Sequence, residues 1–362
     1  MNLKEKLTQA IGWLLKPKKI SLSQKIFFVQ QLGVMLKAGI SLSIALKTLA
    51  QQTTSKSFKT ILTDLQQEVE KGNLLSKGME RYPKVFGELF INMIKAGEVS
   101  GKLEDILRQL FVQLKKDHEI IAKVKGAMIY PAIVIVMMIA IAILVLIYVI
   151  PTMSGVFTEM NIKLPLATRI LIYSSQFTLN YGIFILIGLT IAAVAVGRVI
   201  SLPQGKRKFH QLLLKTPILG RIIRKINLAR FCRALSSLLK TDIPIVQSFE
   251  ITAKILGNVK YKDALTEAKE KIKKGISIGE SLRPHAKLFP PVVLQMIMVG
   301  EETGALDNIL EESAIFYEED VAQTMENLPS ILEPVLMIIL GIAVGGMAVA
   351  VIMPMYSLSQ QI

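Results

Sequence analysis

The run Met93-Ile94-Lys95-Ala96-Gly97-Glu98-Val99-Ser100-Gly101-Lys102-Leu103 returns later as Met296-Ile297-Met298-Val299-Gly300-Glu301-Glu302-Thr303-Gly304-Ala305-Leu306, every position moved by the same 203 residues. The same shift pairs Phe28 with Phe231, Leu32 with Leu235, Leu36 with Leu239, Gly72 with Gly275 and Phe86 with Phe289. It also pairs Ile106 with Ile309, Pro131 with Pro334 and Pro151 with Pro354. No gap interrupts this register from residue 28 to residue 151. The chain is therefore a duplicated unit, and each copy closes with a long apolar run bracketed by prolines. Any fold proposed for one copy has to serve for both.

Composition says what the apolar runs are for. The chain is 51% hydrophobic but only 6% aromatic, which marks a membrane protein with soluble parts. A net charge of +15 would suggest nucleic acid in a soluble protein; here it reports which loops stay on the cytoplasmic side. One cysteine, Cys232, excludes an internal disulfide framework.

Residues 1–20 carry Leu3, Leu7, Ile11, Leu14 and Leu15 at helical spacing beside Trp13 and several lysines. They read as an N-terminal tail or an interfacial helix, not as a signal peptide. From 21 to 125 the periodicity is helical throughout and predicts six short helices with short connections, an antiparallel bundle. Expected stops lie at Ala38-Gly39, Gly72, Tyr82-Pro83 and Gly97, and Glu104 and Asp105 suit the first turn of the sixth helix. Residues 225–329 repeat the scheme after a linker at 201–224. Transmembrane helices are expected at 126–153, 169–200 and 330–354, since about 20 helical residues span a ~30 Å hydrocarbon core. The fold class is thus an all-α membrane protein: two repeated cytoplasmic six-helix bundles and three transmembrane helices.

Charge orients it. Residues 1–130 hold 21 Lys and Arg against 11 Asp and Glu, and residues 198–333 hold 20 against 16. The connector at 154–168 is nearly free of charge, and the tail at 355–362 has none. By the positive-inside rule both bundles face the cytoplasm, and the connector and C-terminus face the periplasm. The middle span, which neither copy contains, is what lets both bundles share one side.

No catalytic, cofactor or metal site is expected. His118, His210 and His285 lack zinc-ligand spacing. The repeated turn superficially resembles a phosphate loop, but Leu103 stands where Ser or Thr is needed and no strand precedes it. Gly97 and Gly300 are expected to end one helix; Ser100 or Gly101, and Thr303 or Gly304, are expected to cap the next. Capping does not require the carboxylates, so Glu98, Glu301 and the extra Glu302 are expected to point outward as partner-binding candidates. Acids from Glu311 to Glu326 read as a solvated helix face. The apolar lengths 132–150, 182–197 and 335–353 contain no ionisable residue, which disfavours the alternative of a transporter or channel component. Gly341, Gly345 and Gly346, with Gly188 in the middle span, are candidates for close helix packing.

Several segments carry a family resemblance: Phe28 to Leu46 (FVQQLGVMLKAGISLSIAL), Ala96 to Leu103 (AGEVSGKL), Lys123 to Pro131 (KVKGAMIYP), Val149-Ile150-Pro151 and Thr216 to Gly220 (TPILG). Over roughly residues 22 to 357 the chain resembles the inner-membrane platform proteins of type IV pilus and type II secretion machines, the F-domain family. Thr241-Asp242 in place of Ala38-Gly39, and Val299 in place of Ala96, are its small departures. The resemblance implies a scaffold in the bacterial inner membrane with no enzymatic activity and no cofactor. It implies as partners a cytoplasmic assembly ATPase, pilin or pseudopilin subunits, other inner-membrane assembly proteins, membrane lipid and further copies of the chain, but no nucleic acid.

Overall fold

A computed structural model describes residues 20–159 and 166–359, and every regular element among them is helical. The first copy holds α1 (Leu22–Lys37), α2 (Leu42–Gln52), α3 (Lys56–Glu70), the short α4 (Leu75–Met79), α5 (Pro83–Ser100) and α6 (Leu103–Leu144). A wide-turned stretch, Val145–Val149, leads into α7 (Ile150–Glu159), and α8 (Leu166–Ser201) and α9 (Pro203–Lys215) follow. The second copy repeats the six as α10 (Pro217–Leu239), α11 (Ile245–Ile255), α12 (Val259–Ile272), α13 (Ile278–Leu282), α14 (Pro291–Thr303) and α15 (Leu306–Ser359). Most of the expected tail, 1–20, the middle of the connector and residues 360–362 lie outside the described residues.

Local chemistry sets the helix ends. Ser21 and Gln24 form a reciprocal capping box at the start of α1. Gly39, at φ +78°, ends it in the left-handed region. The second copy reaches the same conformation with Asp242 at φ +59°, an acid being among the few non-glycine residues that tolerate it. Pro83 and Pro291 open α5 and α14, where a missing N–H costs nothing.

The chain divides into two compact units: residues 20–121 with 210–321, and residues 122–209 with 322–359. The first unit holds both bundles. In the first bundle Phe28 stacks with Phe58 and Phe86, ring centroids 5.7 and 6.1 Å apart. In the second, Phe231, Tyr261 and Phe289 occupy the equivalent positions, with centroids 5.1 Å apart for Phe231–Phe289 and 5.4 Å for Tyr261–Phe289. Aromatic pairs of this geometry add ~0.5–1.5 kcal/mol beyond their burial. Each bundle therefore has the same aromatic centre, and Tyr261 spends its hydroxyl on the Leu288 carbonyl, 2.9 Å away.

The second unit holds three helices long and apolar enough to cross a membrane, within Leu103–Ser154, Thr168–Ser201 and Leu306–Val349. Their apolar windows are 6%, 0% and 0% buried, so the surface they show is one that lipid must cover. Prolines do not end these helices, contrary to their bracketing role in the sequence. α6 runs through Pro131, and bundle helix and span are one continuous rod in both copies. Pro151 is accommodated locally: the Ile150 N–H reaches back to the Val145 carbonyl. Pro151 has no N–H for the Leu146 carbonyl, and the Ser175 hydroxyl of α8 donates to it instead. The expected linker at 201–224 is likewise helical, formed by α9 and the first turns of α10.

Candidate functional site

The repeated turn has identical geometry in both copies, and it differs from the expectation in three ways. α5 and α14 do not stop at Gly97 and Gly300; they continue to Ser100 and Thr303, and Gly101 and Gly304, both at φ +70°, end them. Gly97 and Gly300 are needed for close approach instead. A Cβ on Gly97 would lie 2.7 Å from Ile106 Cγ1, and one on Gly300 would lie 3.0 Å from Leu306 Cα. The hydroxyls do not cap the following helix either. Ser100 Oγ and Thr303 Oγ1 donate backward to the carbonyls of Ala96 and Val299, each at 2.8 Å.

The third difference concerns the carboxylates, which turn inward. Glu98 accepts from the Leu75 N–H and, at 3.0 Å, from the Ser76 N–H. Glu301 accepts from the Ile278 N–H with both oxygens, at 2.8 and 2.9 Å. α4 and α13 are single turns whose amides have few partners, and Leu74 gives α4 no side-chain cap. A carboxylate from 23 residues along the chain supplies one, with its charge at the positive end of the helix. Glu302 is left exposed beside it.

A second polar cluster joins the two bundles, and sequence reasoning missed it. Arg233 on α10 is 5% exposed and grips Glu318 of α15 with two parallel hydrogen bonds of 2.7 and 2.9 Å. Glu311 lies 3.5 Å from the same guanidinium and also pairs with Lys240. From the first bundle, α6 brings Lys116 within 3.7 Å of Glu318 and Asp117 within 3.1 Å of Arg230. Farther along, Lys254 bonds Glu88 at 2.8 Å, and this hydrogen bond holds the lysine pKa above its usual value. Glu311 and Glu318 thus leave the solvated face expected of them, and Asp320 and Glu326 are bound by Lys225 and Lys123. The signal in the sequence was a break in the repeat: Arg233, Ser236 and Ser237 stand where the first copy has Gln30, Gly33 and Val34.

Burial around Arg233 also pushes the Cys232 thiol up to about 12, which keeps it protonated. Among the described residues no three His, Cys, Asp or Glu side chains are grouped to hold a metal ion. His210 accepts the Val259 N–H at 3.1 Å, and His285 pairs with Glu267 at 3.0 Å. A Cβ added at Gly188, Gly341, Gly345 or Gly346 would have no heavy atom within 4 Å.

The chain is similar over most of its length to known proteins. It is 35% identical to the type IV pilus assembly protein PilC of Myxococcus xanthus over 92% of this chain and 80% of that one. The Thermus thermophilus protein of the same name is 36% identical over 91% of this chain and 81% of its own. The type II secretion system protein F of Vibrio cholerae is 30% identical over 94% and 84%. The profile of one family, described as type II secretion system (T2SS), protein F, matches residues 28–151 and again residues 231–354, the same 203-residue shift found within the sequence. Matched once in each repeat and across most of the chain, that family is the one to which this protein belongs.

Proposed function

We propose that this protein is a non-enzymatic platform in the bacterial inner membrane for a type IV pilus or type II secretion machine. It couples a cytoplasmic assembly ATPase to the extraction of pilin or pseudopilin subunits from the membrane. The observation that carries this reading is the double family match together with relatives named for both machines. The charge distribution supports both bundles and the N-terminus lying in the cytoplasm, with the connector and C-terminus in the periplasm. There the bundles offer helical surfaces to the ATPase, other assembly proteins bind around them, and the lipid-covered spans meet the subunits. Glu302, exposed beside a glutamate already used as a cap, is the turn carboxylate best placed for a basic partner surface. Platform proteins of this design work as homo-oligomers.

The test is co-purification of the detergent-solubilised full chain with the assembly ATPase of its own machine. Retention of the ATPase, weakened by Glu302→Lys, is the expected result. A chain that folds and inserts but never retains the ATPase or a subunit would overturn the reading.

A further inference from the structure

The repeat lets each surface of one bundle be looked up in the other. α10 is buried from Asn227 to Leu238 except at Arg230, whereas its counterpart α1 buries only Phe28, Val29 and Leu32. The difference is that α6 of the first bundle lies along α10 of the second. Gln113 meets Ser237 at 3.5 Å, Lys116 meets Glu318 at 3.7 Å, and Asn92 meets Gln247 at 3.3 Å. A two-fold contact would set each surface against its own equivalent. Here different surfaces meet, α5 and α6 on one side and α10, α11 and α15 on the other. Such a head-to-tail contact always leaves one copy of each surface unused.

The unused surfaces are bare and they match. Shifting each contacting residue by one repeat turns Gln113–Ser237 into Phe316 and Val34, which are 60% and 57% exposed. Both polar members of the buried pair have become apolar. The same shift turns Lys116–Glu318 into Glu319 and Lys115, both exposed, with the charge reversed on both sides. Exchanges made in pairs preserve a contact; unrelated drift would spoil one side only. The Asp117–Arg230 pair does not carry over, because Asp320 is held by Lys225 at 2.7 Å within its own bundle.

We propose that a second copy of this chain covers these surfaces. Phe316 and Glu319 on α15 of one copy dock on the groove between α1 and α6 of the next, against Val34 and Lys115. That groove has a volume of 190 Å³ and is edged by Lys37, Arg108 and Phe111. The inference rests on the platform reading for orientation: with both bundles on one membrane face, repeating the step keeps every span crossing in the same direction. Chains then join head to tail and close into a ring.

The experiment uses the full chain with Cys232→Ala, reconstituted in lipid vesicles and oxidised. Val34→Cys and Phe316→Cys chains should form a disulfide-linked dimer when mixed and none when kept apart. Lys115→Glu or Glu319→Lys alone should weaken association roughly tenfold, and the two together should restore it. Dimers of Val34→Cys alone would mean a two-fold contact and overturn the proposal. So would native-sized oligomers in which the mixed pair never cross-links, which place the contact elsewhere, for instance among the spans. A disulfide confined to one chain carrying both cysteines would overturn it as well. Loss of the ATPase interaction with cross-linking intact would count against the platform reading and leave the docking surface standing.

Discussion

Glu98 and Glu301 show how much one side chain can be asked to do far from its own helix. Each satisfies amides of a one-turn helix that lacks the length to stabilise itself. Replacing either by Ala should cost ~1 kcal/mol, the usual worth of a helix cap, and by similar amounts in the two copies because the geometry repeats. Urea unfolding of the detergent-solubilised variants measures this; an unchanged midpoint would show that water caps these helices equally well. The repetition of these glutamates was legible in the sequence, but their direction was not, since the amides they reach lie 23 residues away. Cys232 makes a second residue-scale case. Buried, with its thiol raised to about 12, it should resist a maleimide at pH 8 while the protein is folded and react on unfolding. Mass spectrometry of labelled protein reads both states.

Helices in this protein are organised by what lies across from them. α1 and α10 occupy the same place in the repeat, yet α10 carries Arg233 into the interior because α15 offers Glu318 there. Removing one partner strands the other, so Arg233→Met or Glu318→Leu alone should destabilise by ~3–5 kcal/mol. The double variant should recover a large part of that, with Lys116 and Glu311 left to pair with neighbours. A double-mutant cycle measured by urea unfolding checks this, and simple additivity would refute the coupling. Among the spans, Gly341 and Gly345 present a small-residue strip with open space before it. Replacing both with Ile should shift the oligomer toward smaller species on gel filtration in detergent, because bulk there separates helix backbones. An unchanged elution profile would mean that the strip faces lipid.

At the scale of the whole molecule, the charge asymmetry makes a prediction about topology. Reporter fusions after Ser21, Gly220 and Leu328 should report the cytoplasm, and fusions near Glu159 and Gln361 the periplasm. A periplasmic reading at Gly220 would break the three-span arrangement and separate the bundles. What the sequence by itself determined is what depends on neighbours along the chain. The duplication, the helices, the glycine and aspartate turns at Gly39 and Asp242, and the three apolar lengths all follow from composition and spacing within a few turns. Helix continuity through Pro131 and Pro151 lay outside that reach, since the Leu146 carbonyl left over by Pro151 is taken by Ser175, 29 residues on. So did the burial of Glu318, whose partner Arg233 lies 85 residues away. Only the tertiary structure decided that the first bundle's α6 covers the second bundle's α10 while α1 stays bare. The two helices share one pattern of core residues, and the outer faces that differ acquire meaning only when a partner is brought against them.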